Sequence, residues 1–224
     1  MPYKIKLIGS AVVLTFLVVG CGESEVSQVP PAGIMSVEQR TEVLRRRIDA
    51  RYESPQAHYE LGRIYHASGL WRKAEDEYRI AVGFDPVLWD AEASLVRLFL
   101  DRGDEAGAKA AAAGAIDRAA LSAEMLLGLA EAFEKEYFDD YALKCHSEAL
   151  AIAPDSPDVY KRIGFYYLAR RDSSRAEANL RRSFQLDPYQ PDVAGELGRL
   201  GVIVEVPGVN IQPLQNELAT QEGI

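Results

Sequence analysis

Four sets of positions in this chain recur every 34 residues. Leu61, Leu95, Leu129, Ile163 and Leu197 form one column, and Tyr65, Phe99, Phe133 and Tyr167 a second. Ala74, Ala108, Ala142 and Ala176 form a third, and Pro86, Pro154 and Pro188 a fourth, with Ala120 in its gap. A fixed period of this length means a stack of equal units, each too small to bury its apolar face alone. Within a unit, Leu61 and Tyr65 lie four apart and so share one face of a first helix. Gly62 and Ala74 lack bulk, which lets a second helix approach closely. Gly69, Gly103 and Arg171-Asp172 mark the turns between the helices. Asp85-Pro86 and Asp187-Pro188 stop the second helix, because proline disfavours helical geometry in the residue before it.

The best copy of the unit reads His58, Leu61-Gly62, Tyr65, Ala74, Tyr78, Asp85-Pro86. It resembles the tetratricopeptide repeat, with His58 in place of the usual tryptophan. The copy at Tyr160, Ile163-Gly164, Tyr167, Ala176, Leu180, Asp187-Pro188 is nearly as good. The third keeps Leu129-Ala130, Phe133, Ala142, Ala149 and Pro154; the second departs, with Glu92 at the aromatic place and an alanine-rich stretch over 106–120. The resemblance implies an all-α, right-handed α-solenoid of stacked helix-turn-helix units at 55–88, 89–122, 123–156 and 157–190. Ser36-Val37-Glu38-Gln39 resembles a capping box and predicts an N-terminal capping helix over 36–52. Residues 191–201 read as a C-terminal capping helix and 202–224 as a non-repeat tail, packed on the last helices or loose.

The N-terminus reads as an address. Lys4 and Lys6 precede an apolar stretch from Leu7 to Gly20, too short to span a bilayer, which needs ~20 apolar residues. Val18-Val19-Gly20-Cys21 resembles the lipobox of bacterial lipoproteins. That resemblance implies a signal peptide over 1–20 and lipidation of Cys21, with two or three acyl chains as a stable anchor. Gly22 is not the aspartate that retains some lipoproteins at the inner membrane, which favours the outer membrane facing the periplasm. Residues 22–35 form a polar, Pro/Gly-bearing tether that, fully extended, reaches at most roughly 46–50 Å.

Charge narrows the partners. The chain carries 25 basic and 34 acidic side chains, a net −9. Losing residues 1–20 removes Lys4 and Lys6 and no acid, leaving 23 against 34, or −11. Nucleic acid is excluded as a partner for so acidic a chain, and membrane contact falls to the lipid. No zinc-type pair of cysteines, His-Glu-x-x-His or phosphate-binding glycine loop occurs, so no metal or cofactor and no enzyme activity is expected. Cys145 and His146, adjacent on a helix, point about 100° apart and cannot pair as nucleophile and base. Cys145 reads as a small core residue, and His58 and His146 as packed.

In tetratricopeptide proteins the first helices line a concave groove for protein segments. By that resemblance Tyr59, Arg63, His66, Arg97, Leu127, Glu131, Lys161 and Phe165 should line it here. The asparagine-rich clamp for terminal carboxylates is missing at these places. Aromatic and aliphatic side chains beside Arg63, Arg97 and Lys161 suit a segment of some acidic character; alternatively Arg63, Arg97 and Glu131 neutralise one another as a solvated wall. Asp90, Glu124, Asp158 and Asp192 also recur every 34 residues, each near a first-helix start. They read as helix-dipole partners ahead of a ladder for a basic partner. The resulting expectation is a membrane-anchored adaptor for other envelope proteins, assisting assembly of a complex such as a pilus or secretin. Recruitment of cell-wall hydrolases or proteases is the alternative, ahead of an enzyme or small-ligand binder.

Overall fold

The computed structural model describes residues 35–205 and Pro207. Ten α-helices run in order: α1 Val37–Ala50, α2 Pro55–Ala67, α3 Trp71–Phe84, α4 Trp89–Asp101, α5 Glu105–Ala119, α6 Ala123–Lys135, α7 Asp139–Ile152, α8 Pro157–Ala169, α9 Ser173–Leu186 and α10 Pro191–Arg199. No strand occurs among the described residues. The closest pairs are α2 with α3, α4 with α5, α6 with α7 and α8 with α9, so four helical hairpins stack in chain order. The fold is an all-α helical-repeat solenoid.

The repeat columns explain the packing. Ala74, Ala108, Ala142 and Ala176 are at most 1% exposed, each at a seam where a larger residue would part the helices. A Cβ on Gly62 would stand 2.6 Å from the Tyr78 ring, and one on Gly164 2.6 Å from Leu180. Leu61, Leu95, Leu129, Ile163 and Leu197 are all buried and tie three apolar clusters along the stack. Fully burying one such side chain contributes ~1.5–3 kcal/mol, so the stack rather than any one hairpin supplies stability.

Helix ends follow the sequence punctuation. Pro55, Pro157 and Pro191 sit in the first turns of α2, α8 and α10, where a missing amide costs nothing. Asp104, Ser122, Ser156 and Asp172 cap α5, α6, α8 and α9 by accepting from Gly107, Met125, Val159 and Arg175 amides. The inter-helix turns at 69, 103, 137 and 171 share one left-handed residue each: Gly69, Gly103, Tyr137 (φ 59°) and Arg171 (φ 60°).

Helices α1 and α10 lie within the segments 36–52 and 191–201. Leu44 is the buried residue of α1, whereas Val37 is 55% exposed. Val202 packs with Leu180, Val193 and Leu197, and its amide donates to the Leu197 carbonyl (2.9 Å). The β-prone run therefore starts against the last helices without forming a strand over 202–205. Cys21, the signal peptide and the rest of the tail lie outside the described residues.

Candidate functional site

Arg63 is exposed on α2, and the Tyr59 ring, 5.8 Å from its guanidinium carbon, is its nearest aromatic partner. It borders two adjoining depressions. One, of about 360 Å³, lies between α1 and α2 and is lined by Val37, Arg40, Glu60, Arg63, Ile64 and Ala67 among others. The second, of about 280 Å³, runs from Arg63, His66 and Trp71 to Arg97, Asp101 and Glu136. Arg63 and Ala67 belong to both, so the two form one strip from α1 to the end of α6.

The polar groups of the second depression are mutually satisfied. His66 Nε2 lies 3.0 Å from Asp101 Oδ2, and its Nδ1 lies 3.4 Å from the Tyr78 hydroxyl. The simplest network has Nε2–H donating to the carboxylate and Nδ1 accepting from the hydroxyl. Arg97 Nε donates to Glu136 Oε2 (3.2 Å), its Nη2 to the Glu136 carbonyl, and its guanidinium lies 4.3 Å from the Phe138 ring centroid. Burial pushes the Tyr78 hydroxyl pKa up, so it stays a neutral donor.

Further along, the first-helix face carries a lattice of ion pairs beside a depression of about 360 Å³ lined by Glu131, Lys135 and Arg170. Lys135 bridges Asp90 (3.2 Å) and Glu131 (3.3 Å), and Arg162 bridges Glu131 (3.8 Å) and Asp158 (3.2 Å). Lys161 reaches Asp192 at 2.9 Å. Burial raises the Asp192 pKa, but Lys161 and the Val193 amide outweigh it and hold the carboxyl below its usual range. Three of the four periodic acids thus serve as ion-pair partners between neighbouring hairpins or within a helix. Such partly exposed pairs contribute only about 0.2–1 kcal/mol each, so the lattice occupies cations more than it stabilises the fold.

The eight expected groove residues therefore separate. Arg63, His66 and Arg97 meet around one depression, and Tyr59 stands beside it with its ring 6.0 Å from that of Tyr78. Glu131 and Lys161 belong to the lattice. Leu127 is 3% exposed within the largest apolar cluster, because its position faces the neighbouring hairpin. Phe165 packs against the cluster formed by α9, α10 and Val202. Sequence reasoning missed Arg40, Trp71, Asp101 and Glu136: Arg40 lies outside the repeat, and the others sit at helix ends, one turn from the columns that set the ruler.

Three groups outside the strip have roles in packing. His58, 2% exposed, lies between Glu77 Oε2 (2.6 Å) and the Tyr52 carbonyl (2.8 Å). His146 Nε2–H donates to Glu134 Oε1 (3.0 Å), with the ring against that of Tyr166. Cys145 is fully buried, and burial pushes its thiol pKa up to about 12, far from a nucleophile's range. Among the described residues, no group of three or more His, Cys, Asp or Glu is placed to hold a metal ion, and no helix is long and apolar enough to cross a membrane.

No family model matches the chain, and no curated protein matches it. Among solved structures it is similar to PilF of Pseudomonas aeruginosa, at 21% identity over 77% of this chain and 74% of that one, TM-score 0.36. It is similar to YrrB, described as a TPR protein with an unusual peptide-binding site, at 15% identity over 73% and 84%, TM-score 0.38. It also resembles TTC0263, a TPR protein of Thermus thermophilus, at 18% over 75% and 91%, TM-score 0.37. All three TM-scores lie under 0.5, and the fold rests on the chain's own hairpins and their 34-residue period.

Proposed function

We propose that this chain is a non-catalytic adaptor, lipid-anchored at Cys21 on the periplasmic side of a bacterial envelope. It holds a segment of another envelope protein on the first-helix face and so assists assembly of a complex such as a pilus or secretin. The observation that carries the reading is the contrast along that face. In its C-terminal half the cations are held in ion pairs, including those around a depression of about 360 Å³ between α6 and α8, while its N-terminal half keeps two adjoining depressions bordered by Arg63, which has no ion pair among the described residues. The lipobox-like Val18-Val19-Gly20-Cys21 supports the anchor and its compartment.

The anchor has a direct test. Cys21→Ala should abolish acyl labelling and move the protein from the membrane fraction to the soluble one. Retention of the variant in the membrane fraction would contradict the anchor and leave the binding face untouched.

A further inference from the structure

The N-terminal half of the first-helix face has a charge character that the rest of the face lacks. The lattice cations Lys135, Lys161 and Arg162 each hold at least one carboxylate within 4 Å. Arg97 is closed by Glu136 and His66 by Asp101. Arg63 and Arg40, both exposed and both lining the depression between α1 and α2, have no ion pair among the described residues. Arg47, two turns on from Arg40 on the same side of α1, has none either. The one acid in that depression, Glu60, receives Gln56 Nε2 (3.3 Å) and no cation. In a chain of net charge −9, two arginines against one glutamate leave this depression net positive. Apolar surface flanks it: Val37 at 55% exposure and Ile64 on one side, Ala67 and Trp71 on the other.

We propose that this strip selects an acidic segment of a partner protein, its carboxylates meeting Arg63 and Arg40 and its aliphatic side chains resting on Val37, Ile64 and Trp71. The proposal rests on the binding-face reading above and specifies what the face accepts. A carboxylate arriving at Arg63 displaces no existing partner, whereas one arriving at Lys135 or Arg162 must break a pair already made. Arginine suits the task, since its planar fork meets a carboxylate with two parallel hydrogen bonds. Selection by charge also implies faster association at low salt.

The test uses the full-length protein in detergent and two fluorescein-labelled, acetylated dodecapeptides of alternating Leu and Glu pairs, one with every Glu replaced by Gln. The glutamate peptide should bind at least about tenfold more tightly, and its affinity should fall as salt rises from about 50 to 300 mM. Arg63→Glu should remove that preference, Arg40→Glu with Arg63→Glu should transfer it to a Leu/Lys peptide, and Arg181→Glu on α9 should change nothing. All three variants alter exposed side chains, and circular dichroism checks their folding. Equal affinity for the Glu and Gln peptides, lost together in Trp71→Ala, would overturn acidic selection while sustaining the binding face. Glutamate-peptide binding unchanged by Arg63→Glu, or no binding of either peptide, would overturn the proposal. So would Arg63-dependent retention on vesicles of anionic phospholipid without peptide binding, which would assign the strip to lipid.

Discussion

Two residues show how the repeat enforces its geometry. Gly62 faces the buried ring of Tyr78, which a Cβ would meet at 2.6 Å. Gly62→Ala gains about 1 kcal/mol of helix propensity but overpacks a rigid ring at a cost of about 1–3 kcal/mol. The overpacking wins, and thermal unfolding should show a net loss of up to about 2 kcal/mol. Tyr137 poses the opposite case. It is 86% exposed at a left-handed turn where the first two repeats carry glycine. Left-handed geometry costs a non-glycine residue about 1–2 kcal/mol, and its ring buries almost nothing in return. Tyr137→Gly should therefore raise stability by about 0.5–1 kcal/mol after the added freedom of the unfolded chain is counted. An unchanged or lower melting temperature would show that the tyrosine packs in some way its exposure conceals.

At the scale of elements, the degenerate second hairpin is the informative one. Glu92 on α4 is 2% exposed, and Arg118 at the end of α5 is its ion-pair partner. The corresponding places in the next hairpin hold Leu126 and Ile152. Arg118 is itself about half exposed, but removing it leaves the buried Glu92 carboxylate without its cation, so Arg118→Ala should destabilise by about 1–3 kcal/mol. Replacing both, Glu92→Leu with Arg118→Ile, should be neutral or stabilising, because a packed leucine avoids the cost of keeping the Glu92 carboxylate out of water. Chemical denaturation of the two variants checks this. If both lose equally, the pair holds the two helices in register in a way apolar side chains cannot replace. The hairpins themselves were legible in sequence: the leucine, aromatic and alanine columns, the glycine turns and the Asp-Pro stops each map onto a helix face or end. The ruler could not show that Glu92 is buried, since that follows from which side chain α5 brings to meet it.

For the whole molecule, the period located every first helix but not which of its side chains stays open. Tyr59 and Leu127 share one repeat position, yet Tyr59 is only partly buried against one apolar cluster while Leu127 lies within another. Arg63, Glu131 and Phe165 share another. Among the described residues they end as a cation without an ion pair, a lattice acid and a packing partner of the α9–α10 cluster. Those outcomes depend on neighbouring hairpins and on the capping helices, information that no single repeat carries. On the proposal made above, recognition falls to the N-terminal end of the described solenoid. The most direct measurement of that claim places a photo-crosslinking amino acid singly at positions 63, 131 and 181 of the full-length protein in intact cells. Irradiation should give a discrete protein adduct from position 63, lost when Arg40→Glu and Trp71→Ala are added, and none from 131 or 181. Adducts of equal yield from 131 or 181, or none from 63, would contradict the account.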